Sequence, residues 1–261
     1  MAKSTTTKVF GYTDIHWSDR DEKALTVARL AQAYMMPDIT VIGGDLLNAD
    51  PFTRFSRSKV PKGLVTDWGE DELKPSLKFL DNVQALTKQH TYFVEGNHDA
   101  WIERWAANNS TAATTYSLIS PRLHIVGNRS RFSYLPYVPE GQGRNSALVL
   151  HPKLAVVHGW SICRHAAAKH LELSRSRSVI FHHTHRIQRD VGRDPWTGQP
   201  IEAFSAGCLC KLQPKYAHGG SPTQWNHGFW VAYLGKRNYT AYAIEIHKGS
   251  CVLPDGKEIK L

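Results

Sequence analysis

In the first third of the chain, short apolar runs alternate with longer segments of helical spacing. Val9–Asp14 reads as a strand ending on a polar turn. Ser18-Asp19-Arg20-Asp21-Glu22 then supplies a helix cap and first-turn acids, and Glu22–Met35 carries the apolar spacing of a helix. Ile39–Gly43 predicts a buried strand running into Gly-Gly-Asp. Leu73–Gln89 predicts a helix, and Thr91–Val94 a third strand running into Gly-Asn-His-Asp. This alternation predicts an α/β half. Beyond it, strand patterns cluster at Leu123–Val126, Ala147–Leu150, Leu154–His158, Ser178–Phe181, Ala203–Ala206, Phe229–Leu234 and Tyr239–His247. They predict a second sheet packed on the first and completed by residues 190–261, within one domain over residues 1–261. Asp50–Asp67 and Lys211–Asn226 read as long loops, which in a compact domain are often functional.

Composition narrows the class. A chain of 261 residues is long enough for a large core. No apolar run is long enough to span a bilayer, so no membrane association is expected. The opening MAKSTTTKVFGYTD has no apolar h-region and reads as a polar lead into a strand. Four cysteines, Cys163, Cys208, Cys210 and Cys251, are too few for a disulfide framework, which points to a reducing, cytoplasmic compartment. Cys208 and Cys210 form a C-x-C pair. Without a second pair nearby, a buried structural thiol is preferred over a metal site. The formal charge of +9 favours a polyanionic partner such as nucleic acid. Fourteen histidines are a more specific oddity, because several sit beside Asp, Asn or Gly in tight motifs.

Each of those motifs follows an apolar strand. Asp14-Ile15-His16 follows the first, Gly43-Gly44-Asp45 the second and Gly96-Asn97-His98-Asp99 the third. His158-Gly159 follows Leu154–Val157, and His183-Thr184-His185 follows Val179–Phe181. Loops at the carboxyl ends of strands in α/β sheets converge on one crevice. Residues two apart in extended chain project to the same side, so Asp14 pairs with His16 and His183 with His185. Those two pairs, with single ligands from three other loops, suffice for two divalent ions, and Asp45 is the natural bridge. Alone, each motif reads as a capped turn, a loop or a hydrogen-bonded strand-end histidine. It is their combination that carries chemistry.

In this order, D-x-H, G-D, G-N-H-D, H-G and H-T-H resemble the calcineurin-like metallophosphoesterase superfamily. The resemblance covers residues 14 to 185 and implies an α/β fold. That fold is a four-layer αββα sandwich of two mixed sheets flanked by helices, with a dinuclear site at the carboxyl ends of the strands. Carried over, Asp14, His16, Asp45 and His185 hold one metal, and Asp45, Asn97, His158 and His183 the other. His98 sits beside the metals as the acid that serves the leaving oxygen, and Asp99 orients it. A water or hydroxide between the ions becomes the nucleophile. Mn, Fe or Zn suits the mixed ligands, with Mn favoured. His182 stands where the family usually has Gly. It either packs into the sheet or reaches a substrate, and packing is preferred.

Leu46-Leu47-Asn48-Ala49 follows Asp45 where the family's protein phosphatases carry Asp-Arg. The missing Arg leans the reading toward a phosphodiesterase or nuclease. A phosphomonoesterase or cyclic-nucleotide phosphodiesterase acting on small molecules is the alternative. A metal-bound scaffold without turnover has no support in the motifs. Basic residues lie nearby at Arg54, Arg57, Lys59 and Lys62, and at Arg164, Lys169, Arg175, Arg177, Arg186, Arg189 and Arg193. Aromatics accompany them at Phe52, Phe55, Trp101, Trp105 and Trp160. Such a mixture suits a single strand held by charge and stacking. Arg54, Arg57, Arg164 and Arg186 are the candidate substrate contacts. The expected partner is nucleic acid or a small phosphoester, with no obligate protein partner.

Overall fold

The computed structural model describes residues 6–52, 68–109, 117–118, 120–137, 147–174, 176–214 and 223–261. Its strands, in chain order, are β1 (Thr7–Tyr12), β2 (Ile39–Ile42), β3 (His90–Val94), β4 (Phe132–Leu135), β5 (Leu148–His151), β6 (Leu154–Val157), β7 (Ser178–Phe181), β8 (Ile187–Arg193), β9 (Pro200–Ala206), β10 (Gly228–Leu234) and β11 (Tyr239–Glu245), followed by the small hairpin β12 (Ser250–Val252) and β13 (Glu258–Lys260). One sheet runs β11-β10-β1-β2-β3-β4, the other β5-β6-β7-β9-β8. Both are mixed. β1 to β4 are parallel while β10 and β11 pair antiparallel, and β6, β7 and β9 are parallel between antiparallel edges β5 and β8.

The alternation of side chains along each strand builds the layers. Phe10, Tyr12, Ile42, Phe93, Phe229 and Val231 face outward, onto Leu25 and Ala28 of helix α1 (Glu22–Met35) and Phe79 and Leu80 of helix α2 (Lys74–Ala85). Their sequence neighbours Val9, Val41, Val94, Trp230 and Ala232 face inward, onto Leu154, Val156, Ile180 and Phe204 of the second sheet. Val157, Val179, Phe181 and Ala203 cover the far side of that sheet with Ala166 and Ala167 of the helix Ala166–Ser174. The result is the α/β fold of two mixed sheets flanked by helices. Helix α1 starts at Asp21, whose carboxylate accepts from the Ala24 N–H at 2.9 Å.

Two expectations are corrected. Leu123–Val126 is not a strand. It ends the helix Pro121–Val126, started by the Ser120 side chain accepting from Leu123 N–H and by Pro121 in the first turn. The closing strands β10 and β11 do not complete the second sheet. β10 pairs with β1, Thr7 opposite Leu234 and Gly11 opposite Trp230, and so extends the first. An apolar run buried on both faces fits the middle of either sheet, so the pattern could not choose. Strand β8 was not expected at all, because as an edge strand it alternates polar and half-exposed residues.

Gly11 shows how tightly the sheets meet. A Cβ there would lie 1.8 Å from the Trp230 ring. Only glycine lets that indole cross β1 into the space between the sheets.

Candidate metal centre

The strand-end loops do converge, and they are held in strained backbone. His16, Asp45, His183 and His185 adopt positive φ of 46°, 47°, 72° and 57°. Non-glycine residues in this region cost energy and cluster at functional sites. The loops also hold one another. The Asp45 carbonyl accepts from Ile15 and His16 N–H at 3.1 and 2.8 Å, and the Asp14 carboxylate accepts from His183 N–H at 3.0 Å.

Two groups of ligand atoms result. One ligand atom from each of Asp14, His16, Asp45 and His185 lies within 4.8 Å of the others, all four residues buried. One ligand atom from each of Asp45, His158 and His183 is likewise within 4.8 Å of the others, with His183 half-buried. Asp45 belongs to both: its Oδ2 is 3.7 Å from His16 Nε2 and 3.3 Å from His158 Nε2. Asn97 Oδ1 lies 3.0 Å from His158 Nε2, adding an amide oxygen to the second group.

Hydrogen bonds behind the rings set which nitrogens face inward. His158 Nδ1–H donates to the Gly43 carbonyl at 2.9 Å, which turns Nε2 toward the acceptor oxygens of Asn97 and Asp45. His16 Nδ1–H donates to Asn48 Oδ1 at 3.2 Å, which turns its Nε2 toward His185 Nε2, 3.2 Å away. Lone pairs thus point at lone pairs. Asp14 Oδ2 is buried with no hydrogen-bond partner. Such an arrangement calls for positive charge between the groups. Proton affinities say the same. Burial opposes charge on His158, yet Asp45 raises it to about 9; burial opposes charge on His185, yet Cys210 and Asp14 raise it to about 10. One imidazole in each group therefore holds a proton strongly, in the place where a metal ion would bring its positive charge. Burial and His98 push His16 down to about 3, and burial and His158 push His183 down to about 4. Against the penalty of burial, nearby imidazoles hold both Asp14 and Asp45 far below the usual carboxylate range. The donor set fits divalent ions.

His98 sits at the rim. Its backbone N–H donates to Asp45 Oδ1 at 2.8 Å and its ring Nδ1–H to the Asn48 carbonyl at 2.8 Å. Its ring packs edge-on to His16 and 3.9 Å from Trp101. Asp99 does not orient His98, contrary to expectation. Its oxygens accept from Leu47 and Gly96 N–H, both at 3.0 Å, so it ties the second motif loop to the third. A fully buried carboxylate at a helix start is drawn to those open backbone donors. The group that holds the His98 ring is the backbone carbonyl of Asn48, a partner that no side-chain motif marks.

His182 takes the packed alternative. Its Nδ1–H donates to the Val157 carbonyl at 2.9 Å and its Nε2 accepts from Trp230 Nε1–H at 3.0 Å. Burial pushes it down to about 4, so it is a neutral link between the sheets. A Cβ on Gly43 would lie 2.2 Å from its Nε2, so glycine there makes the room. His170 is a second such case. Its Nδ1–H donates to Ala166 O and its Nε2 accepts from Trp160 N–H, stacked on Phe181 at 4.0 Å.

Of the basic candidates, Arg164 and Arg186 are less central. Arg186 gives its guanidinium to the Ile162, Cys163 and Arg164 carbonyls and so straps the loop after His158. Arg164 lines a shallow cavity with His165, Gln188, Arg189 and Asp190, apart from the ligand groups. Arg54, Arg57, Lys59, Lys62, Phe55 and Arg175 lie outside the described residues. Cys210 and Trp225, neither of them expected here, both touch His185: the Cys210 Sγ is 3.9 Å from its Nδ1 and the Trp225 ring centroid 4.2 Å away.

A two-sheet α/β sandwich with paired carboxylate–imidazole groups at its strand ends defines a class of metal-centred domains. Residues 7–220 match the model of the calcineurin-like phosphoesterases, and the chain belongs to that family. Among solved structures, Vacuolar Protein Sorting 29 from Cryptosporidium parvum is similar at 11% identity, covering 99% of this chain and 100% of that one, with a TM-score of 0.48. The nuclease MPE of Pseudomonas putida is similar at 13% identity, over 90% of this chain and 87% of that one, TM-score 0.32. The E. coli phosphoesterase Yfce is similar at 12% identity, over 90% and 98%, TM-score 0.37. No curated protein sequence matches. Among the described residues no helix is long and apolar enough to cross a membrane.

Proposed function

We propose that the protein is a phosphodiesterase that hydrolyses nucleic acid with two divalent ions, Mn in the first place. The observation that carries this reading is the sharing of the buried Asp45 by two ligand groups. Asp14, His16, Asp45 and His185 would hold one ion, and Asp45, Asn97, His158 and His183 the other. Bound there, the ions would supply Lewis-acid charge to a phosphoryl group and an activated water.

The chain's own residues do the rest. His98 serves the leaving oxygen. Its Nδ1–H is committed to the Asn48 carbonyl, so Nε2 carries the transferable proton, and the ring that remains is the neutral tautomer that this carbonyl already holds. Asn48 also bears on the substrate class. Where a protein phosphatase would carry Asp-Arg to grip a dianion, this chain places the Asn48 side chain on His16, and Ala49 has no charge. That supports a diester, with one negative charge fewer. Trp101 against His98, Trp225 against His185 and Tyr137 facing His158 offer aromatic surfaces beside the centre. Bases stack on such surfaces, and the net charge of +9 favours a polyanion.

The test is a Mn²⁺-supplemented digest of end-labelled single- and double-stranded DNA beside an Asp45→Ala control. We expect cleavage in the parent and none in the control. An intact substrate with both proteins would overturn the nuclease reading, and hydrolysis of nucleotides or small phosphate esters instead would assign the same centre to them.

A further inference from the structure

The C-x-C pair has no place in the function proposed above, yet one of its thiols meets the centre. Leu209 N–H donates to the Asp14 carbonyl at 2.9 Å, Asp21 N–H to the Leu209 carbonyl at 2.9 Å and Lys211 N–H to the Asp19 carbonyl at 2.8 Å. Residues 209–211 are thereby laid along the loop that carries Asp14 and His16, with Cys210 bridged to Arg20. The Cys210 carbonyl is held as well, accepting from His227 Nε2 at 3.0 Å. The two thiols then part. Cys208 Sγ lies against the carbonyls of Cys210 and Asn226, at 3.8 and 3.6 Å. Cys210 Sγ faces His185, 3.9 Å from its Nδ1. One ligand atom from each of His16, His185 and Cys210 lies within 4.8 Å of the others, and all three residues are buried.

We propose that His16, His185 and Cys210 form a second, thiophilic coordination position, which takes a soft divalent ion such as Zn²⁺ or Cd²⁺. Two imidazoles and a thiolate are a common zinc set, whereas carboxylates and imidazoles suit Mn²⁺. The same two imidazoles would then serve either ion. A hard ion sits toward Asp14 and Asp45, and a soft ion toward the sulfur. Binding replaces the Cys210 S–H proton with a metal–sulfur bond, and the proton leaves to solvent. His16 Nδ1 is committed to Asn48, so both positions would draw on the one lone pair at His16 Nε2; they are therefore mutually exclusive, and a soft ion expels the hard one. The proposal rests on the cluster being a metal centre and is independent of the substrate.

Cadmium tests it directly, since thiolate ligation gives an ultraviolet charge-transfer band. The full chain, stripped of metal with chelator, is titrated with Cd²⁺. The expected result is a band for one thiolate per chain that vanishes in Cys210→Ser and survives in Cys163→Ser, whose thiol is exposed. Excess Mn²⁺ should weaken apparent Cd²⁺ affinity, and Cys210→Ser should lower Cd²⁺ affinity at least ~10-fold more than it lowers Mn²⁺ affinity. A band that persists in Cys210→Ser, or Cd²⁺ binding without a band, overturns the proposal. If Mn²⁺ binds while no sulfur band forms, only this inference fails. If no divalent ion binds, the metal-centre reading fails with it. Should the serine variant not fold, cadmium NMR of the parent decides between sulfur–nitrogen and all-oxygen–nitrogen ligation.

Discussion

Histidine does three jobs here, and hydrogen-bond partners separate them. His16 and His158 each donate Nδ1–H outward to an oxygen and present Nε2 to the centre. His182 and His170 each donate Nδ1–H and accept at Nε2, so both nitrogens are consumed and no ligand atom is left. His98, at the rim, donates Nδ1–H to the Asn48 carbonyl, which leaves Nε2 for the role proposed above. For His98→Ala we expect retention of metal and of substrate binding, with turnover down by ~10²- to 10⁴-fold, the usual worth of a positioned acid. Comparing kcat and KM checks this: a variant as fast as the parent would remove His98 from the reaction. In the VIFHHTHRIQ stretch, alternation predicts that His183 and His185 turn one way and His182 the other; the structure reaches that arrangement through positive-φ residues after β7 and not through extended chain. That His182 reaches Trp230 depends on a strand nearly fifty residues later in the chain.

At the scale of elements, the loop after β2 is the keystone. It carries Asp45 at one end and Asn48, which touches two histidines, near the other. Glu72, in the turn Gly69–Leu73 that leads into α2, accepts from the Asn48 and Ala49 N–H groups from below. Glu72 is buried, and that burial raises it from 4.5 to about 7 even though the two N–H donors favour the charge. A carboxyl raised in the fold contributes stability that is complete below about pH 4.5 and is lost as pH rises through about 7. Glu72→Gln keeps an acceptor and removes the titration. Its stability relative to the parent should therefore rise between about pH 5 and pH 8, by as much as ~3 kcal/mol. Urea unfolding at several pH values measures it, and a pH-independent difference would mean that Glu72 is ionised throughout.

For the whole molecule, the centre is a point where both sheets must agree. Asp14 and Asp45 come from the first sheet, while His158, His183 and His185 come from the second. An ion that binds only this folded arrangement stabilises it by mass action, about 2.7 kcal/mol at a hundredfold excess over Kd. Thermal unfolding with Mn²⁺ and with chelator should show a clear rise in Tm for the parent. Asp45→Ala, which removes an oxygen from both groups, should lose nearly all of that rise. An equal Tm shift in the variant would place the stabilising ion elsewhere.

The family, the α/β class and the identity of the convergent motifs were legible in the chain, because they rest on local facts. Strand periodicity sets which side a residue faces, and turn-forming glycine and aspartate mark where a strand stops. Other features needed the fold. The side of the molecule joined by Phe229–Leu234 depended on pairing with β1, since a strand buried on both faces carries no label for its sheet, and Tyr239–His247 follows it as the edge strand paired to it. Whether Asp99 or Asn48 holds His98 depended on which backbone donors lay open near a buried carboxylate. The approach of Cys210 to His185 depended on residues 209–211 lying along the first motif loop. Long-range partners of this kind leave no periodic trace, because each is chosen by packing between segments far apart in the chain.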